Sequence, residues 1–158
     1  MKCRTTRFGT LDIAEEALLT FPSGILGFAE WTRYVLLDHD TEAPIKWLQC
    51  VENPELAFVV LDPVLFKPDY QVALGEDALA ELESREGDDL SVVIILTIPS
   101  EDPTRVTANL RGPLVMNHRT RRCKQLVLSD DIPTRHPLFD TAVSRPGTPA
   151  TSLQATAC

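Results

Sequence analysis

Leu56-Ala57-Phe58-Val59-Val60-Leu61 and Val92-Val93-Ile94-Ile95-Leu96 are the two continuous apolar runs on which the fold turns. Hydrophobic periodicity alone does not separate a buried strand from a buried helical segment in runs this short. Their length and flanks do. Both are rich in β-branched residues. Pro54 and Pro63 enclose the first, and Pro99 follows the second. Proline ends strands and prevents a helix from running through. Both runs therefore read as central strands.

Further strands follow on either side. Tyr34 to Leu37 and Lys46 to Val51 are short and aromatic or β-branched. Leu114 to Met116 and Gln125 to Leu128 flank the polar stretch Asn117 to Lys124, which reads as a hairpin connection. Asp12 to Phe21 is mixed: Ala14 to Leu19 has helical propensity, whereas Thr20-Phe21-Pro22 looks extended. One helix is expected over Glu76 to Arg85. Ala78, Leu79 and Leu82 share a face there, and Glu76 and Asp77 complement the dipole at its start. Glu81 and Arg85 have the spacing of an i,i+4 ion pair. Gly87-Asp88-Asp89 then turns the chain into the second apolar run. Many short strands between Pro, Gly and Asp turns predict an all-β protein, a small antiparallel β-barrel-like domain with one or two short helices. No internal repeat is visible.

The 158 residues suit one domain, and a chain of this length buries a sizeable core without disulfides or metals. The division expected is a β domain over 1–139 and a disordered tail over 140–158. From Thr141 onward the chain is Thr, Ser, Pro, Ala and Gly with only Val143 and Leu153 as sizeable apolar residues. Such a composition does not offset the entropy of ordering. Fifteen Lys and Arg against 23 Asp and Glu give a net charge of −8. That balance disfavours non-specific binding to nucleic acid or anionic lipid and favours basic partners. No apolar run is long enough to span a bilayer. The start, Met1 to Arg7, is basic but lacks the apolar segment of a signal peptide, so a cytoplasmic location is expected. Cys3, Cys50, Cys123 and Cys158 are scattered with no C-x-x-C pair and read as reduced thiols, Cys50 and Cys123 as core or edge residues.

A search for chemistry returns little. His39, His118 and His136 are isolated, with no Cys/His spacing for zinc. Asp38-His39-Asp40 could be drawn as a metal corner, but adjacent residues alternate in direction and do not converge on one ion. No G-x-S-x-G elbow, P-loop or G-x-G-x-x-G is present. Catalytic, metal and cofactor sites are accordingly expected to be absent, and the protein is not expected to be an enzyme. One basic cluster, Arg119, Arg121, Arg122 and Lys124 beside His118, suggests a nucleic-acid contact in isolation. It has no interleaved aromatic residue to stack on bases. At a hairpin, its charges serve equally to deter edge-to-edge pairing. The alternative function is a small RNA-binding β-barrel protein.

Four segments, in order, resemble the FliW family of flagellar assembly factors. They are Phe21-Pro22-Ser23-Gly24-Ile25-Leu26-Gly27-Phe28; Trp47 to Phe58 (WLQCVENPELAF) with Asp62-Pro63 and Pro68-Asp69-Tyr70; Thr107 to Asn117 (TANLRGPLVMN); and Lys124-Gln125 with Arg135-His136-Pro137-Leu138. His118 stands where the family often has proline, and Arg122-Cys123 replaces a glycine-containing turn. The resemblance implies a compact β-barrel-like fold. It implies two protein partners, flagellin in the cytoplasm and the RNA-binding translational repressor CsrA; from the acidic charge balance, no direct contact to nucleic acid or membrane is expected. A monomer is expected in their absence. Phe21, Pro22, Gly24, Gly27, Asn109, Pro113 and Asn117 have the most motif-like character and are the candidate partner-binding residues.

Overall fold

A computed structural model describes residues 1–38, 45–99 and 101–138. Its strands are β1 Lys2–Thr5, β2 Gly9–Asp12, β3 Leu19–Thr20, β4 Arg33–Asp38, β5 Lys46–Cys50 and β6 Ala57–Leu61. They continue with β7 Leu90–Thr97, β8 Thr107–Ala108, β9 Leu114–Asn117, β10 Cys123–Gln125 and β11 His136–Pro137. One α-helix, α1, spans Glu76–Glu81, and short 3-10 turns cover Glu15–Ala17, Pro63–Leu65 and Pro103–Arg105. The fold is all-β and antiparallel, as the sequence predicts.

The main sheet runs β3-β4-β5-β6-β7-β9-β10, and β8 and β11 branch from β7. Both apolar runs lie in its middle, paired through Val59↔Leu96, Val60↔Ile95 and Leu61↔Ile94. The sheet curls until its ends meet at a single parallel bridge, Thr20↔Arg122, where Thr20 N–H donates to Arg121 C=O at 2.9 Å. It is barrel-like, but this seam is not a closed ladder. Inside the curl lie Phe21, Ile25, Tyr34, Leu48, Val60, Leu114 and Met116. Phe21 and Tyr34 meet edge-to-face at 5.3 Å between centroids, a favoured aromatic geometry. A second core of Leu61, Ile94, Leu96, Val106, Ala108, Leu110 and Leu138 covers the other face of β6 and β7. The β1–β2 hairpin packs Cys3 and Ile13 against Val35.

Three local expectations change. The helix ends at Glu81 rather than Arg85, because Glu83 takes φ +53° and turns the chain back. The Glu81–Arg85 pair is therefore not formed as a helical pair; Glu81 meets Lys124 at 3.4 Å instead. The second hairpin strand is Cys123–Gln125, closer to the turn than Gln125 to Leu128. Leu126 and Leu128 still donate N–H bonds to Pro113 and Arg111. Between Asp12 and Phe21, the helical and extended tendencies divide the segment into a 3-10 turn, Glu15–Ala17, and β3. Phe139, the stretch 140–158 and the His39-Asp40 part of the proposed metal corner lie outside the described residues.

Candidate functional site: the Gln125 junction and the hairpin clamp

The motif segments are far apart in sequence, and one side chain joins three of them. Gln125 on β10 accepts from Leu26 N–H at 2.8 Å through Oε1 and donates to Gly112 C=O at 3.0 Å through Nε2. Gly112 N–H in turn donates to Asn109 Oδ1 at 3.1 Å. A β-carbon on Gly112 would lie 2.7 Å from Gln125 Nε2 and 3.0 Å from Asn109 Nδ2. A β-carbon there would push the two amide ends out of this arrangement, which glycine leaves undisturbed. The loop Phe21 to Phe28, the turn Asn109 to Pro113 and β10 thus form one unit.

Two glycines shape the loop. Gly24 has φ +71° and a β-carbon there would lie 2.5 Å from Ala29 Cα; Gly27 has φ +87° with open space around it. Phe21 and Ile25 are buried and anchor the loop from below, while Pro22, Leu26, Gly27 and Phe28 are exposed. Leu26 at 66% and Val127 at 67% are the most exposed of the large apolar residues described. Ser23 Oγ donates to Glu81 Oε1 at 3.0 Å and ties the loop to α1.

The second motif segment is architectural. Gln49, fully buried, directs Nε2 at the carbonyls of Cys50, Asn53, Pro54 and Leu56 at 3.0–3.4 Å. Glu52 accepts from Thr32 and Arg33 N–H, and Asn53 Oδ1 accepts from Glu55 N–H. These polar groups bind the β5–β6 turn to the start of β4.

At the other end of β9, Asn117 is fully buried. Its Nδ2 donates to Leu82 C=O at 3.1 Å and Asp88 Oδ2 at 3.0 Å, and its Oδ1 accepts from Arg119 N–H at 2.9 Å. The basic cluster is drawn into the same clamp. Arg119 pairs with Asp88 at 2.7 Å and also donates to Glu83 C=O. Arg122 donates to Glu81 C=O at 2.8 Å and lies 3.8 Å from the Glu83 carboxylate. Arg121 reaches Ala17 C=O, and Lys124 reaches Glu81. His118 meets Ser91 Oγ at 2.8 Å. The hairpin's cations thus bind intramolecular acceptors.

Asp88 carries a pH dependence. The bonds from Arg119, then Arg85 N–H and Asn117, hold its carboxyl well below the usual carboxylate range. A depressed folded pKa gives stability that is complete above the ordinary carboxylate pKa and declines as pH falls through the folded value. Thermal melting from pH 7 downward should show this acid-side loss in the wild type, and a smaller one in Asp88→Asn. Identical acid slopes for the two proteins would remove Asp88 from the account.

Of the seven candidate residues, Phe21, Gly24, Pro113 and Asn117 are buried, Asn109 is half-buried, and Pro22 and Gly27 are exposed. Gln125, Gln49, Glu81 and Asp88 fall in the motif segments, the helix and the turn read from the sequence but were not among the candidate site residues, because a single polar residue, buried like Gln49 or half-buried like the other three, leaves no periodic signal. Burial raises the thiol pKa values of Cys3, Cys50 and Cys123, the last to about 12. No group of three or more metal-ligating side chains occurs among the described residues. No helix among them is long and apolar enough to cross a membrane.

The family model for FliW protein matches residues 2–138. The flagellar assembly factor FliW of Natranaerobius thermophilus is 37% identical over 141 residues, covering 89% of this chain and 93% of the relative. That of Geobacter sulfurreducens is 42% identical over 143 residues, covering 90% and 89%. A crystal structure of the flagellar assembly factor FliW superposes with TM-score 0.83 at 33% identity, covering 90% of this chain and all of that one. Matched by the family model over residues 2–138, by relatives over most of their length and by the fold, the chain belongs to the FliW family.

Proposed function

We propose that this protein binds flagellin in the cytoplasm and, when free of it, binds CsrA and relieves repression of flagellin translation. Membership of a flagellar assembly factor family across residues 2–138 carries this reading. Charge supports the regulatory half. The chain carries −8 overall, and its main basic cluster is engaged internally. An acidic protein seated beside an RNA-binding surface raises the electrostatic cost of RNA approach. A shared, limited pool then couples flagellin level to translation through mass action. The partner contacts fall to the exposed part of the motif loop, Pro22 and Gly27 with Leu26 and Phe28. Phe21, Gly24, Asn109 and Pro113 hold that surface in shape, and Asn117 holds the hairpin clamp at the other end of β9.

A gel-shift assay with purified CsrA and a flagellin-leader RNA tests the switch. Adding this protein should release the RNA, and adding flagellin should restore the complex. Glu76, Asp77 and Glu86 are exposed and take no part in the bonds of the hairpin clamp described above. Their joint change to Gln, Asn and Gln should weaken release if electrostatics contributes, and so should added salt. CsrA–RNA binding that is unchanged at saturating protein would sink the regulatory half. A direct shift of the RNA by this protein alone would favour the RNA-binding alternative.

A further inference from the structure

β7 outruns the strand beside it. Its C-terminal part pairs with β6 as far as Leu61↔Ile94, and there β6 ends. Asp62 turns the chain aside by accepting from Val64 N–H at 3.0 Å, with Pro63 opening the turn. The N-terminal part of β7 keeps a neighbour on its other side only, pairing Leu90 to Val93 with β9. His118 N–H donates to Asp89 C=O across that ladder. Antiparallel alternation then points the main-chain groups of Ser91 and Val93 at β9, and those of Leu90 and Val92 at the side β6 has left. Among the described residues, no hydrogen bond satisfies these groups of Leu90 and Val92.

The vacated side is a cleft of about 220 Å³, walled by Leu36, Val60, Leu61 and Met116. Its polar lining is already occupied. Lys46 is paired with Asp38, Asp62 caps the Val64 turn, and Ser91 and His118 bond each other. The exposed Asp62 carboxylate disfavours an anionic ligand, and the remaining polar groups are engaged. The volume falls below the roughly 300–1,000 Å³ of small-molecule sites. The open groups on β7 are donor–acceptor pairs, which another peptide backbone complements. The Pro63–Leu65 turn lies against β7, next to the cleft rather than in its lining, and carries Val64 and Leu65, 55% and 46% exposed.

We propose that this cleft takes an uncharged, extended apolar segment of a partner protein, which lies beside Leu90–Val92 in the place β6 has left. One branched aliphatic side chain of the segment enters the cleft, and the main chain on either side of it pairs with β7. This site is independent of the flagellar reading and of the Gln125 junction.

The test is an NMR titration of the isotope-labelled full chain with a capped, neutral serine-valine-leucine-valine-serine peptide. The amide signals of Leu90, Val92 and Leu65 should move together and saturate. Methylating both valine nitrogens removes the pairing donors and should weaken binding about tenfold or more. Replacing the peptide's leucine by serine should weaken it as well, as should Leu65→Lys, a change at an exposed position that leaves the core intact. Amide signals that stay in place at millimolar peptide would overturn the proposal. So would equal binding of the N-methylated peptide, which would mean that apolar contact alone is being read.

Discussion

Gly24→Ala is expected to destabilise the protein by about 3 kcal/mol or more, and Gly27→Ala by only about 1 kcal/mol. Both glycines sit in the same loop with positive φ, at +71° and +87°. Each substitution meets the intrinsic cost of placing a β-carbon in the left-handed region. The difference lies in what the β-carbon strikes. At Gly24 it falls 2.5 Å from Ala29 Cα and 2.8 Å from Ala29 O, both backbone atoms that no rotamer change can move. At Gly27 nothing lies within 4 Å. The loop must therefore shift at Gly24, and the shift reaches Phe21 and Ile25, which are buried in the barrel-like core. For a chain of this size, 3 kcal/mol corresponds to roughly 10 °C in melting temperature. Differential scanning calorimetry of the two variants decides it, and equal losses would refute the clash. Gly24→Ala should also weaken binding of the proposed partners more than its instability explains, because the proposed contacts Pro22, Leu26 and Phe28 ride on this loop.

The sequence carried the central strands because a fully buried strand writes itself as a continuous apolar run. It carried the FliW resemblance because four motif segments survive in order. Several elements were not legible, each for a physical reason. β1 alternates exposed Lys2 and Arg4 with buried Cys3 and Thr5, but two small residues every second position make a weak apolar signal. β8 and β11 are two residues each, and tertiary pairing rather than local preference creates them. The end of α1 was missed because Glu81 and Arg85 have helical spacing whether or not the helix continues; Glu83 at φ +53° ends it. At the candidate site, the motif residues were visible and their division of labour was not. Nothing local distinguishes exposed Pro22 from buried Phe21 as a contact. Gln125 acquires its role only when β10 is set beside the loop at Leu26 and the turn at Gly112.

The basic hairpin shows how far tertiary context revises a local reading, and Asn117 is where that can be tested hardest. Asn117→Ala should cost about 2–4 kcal/mol, since it removes a fully buried amide that serves α1, the following turn and its own hairpin. Asn117→Asp, nearly the same in shape, should be worse at neutral pH. A carboxylate there would face Leu82 C=O and Asp88 Oδ2, positions where the amide now donates at 3.1 and 3.0 Å. Two acceptors and a like charge then meet without a donor. The new carboxyl's folded pKa should be raised, so its neutral form is favoured in the folded state. Its penalty is absent below the ordinary carboxylate pKa and grows as pH rises through the folded value. The wild type loses stability through Asp88 only as pH falls below the ordinary carboxylate pKa, whereas Asn117→Asp should recover relative to Asn117→Ala as pH falls toward that value from neutral. That recovery, read between neutral pH and the ordinary carboxylate pKa in paired melting curves of the two variants, would establish that the hairpin is clamped by the amide's donor. Parallel slopes would mean that the clamp rests on the Arg119–Asp88 ion pair alone, with Asn117 filling space. Because the clamp engages Arg119 and Arg122, its release should also expose cations that the folded protein keeps paired. The Asn117→Asp protein near neutral pH should therefore bind RNA more readily than the wild type does.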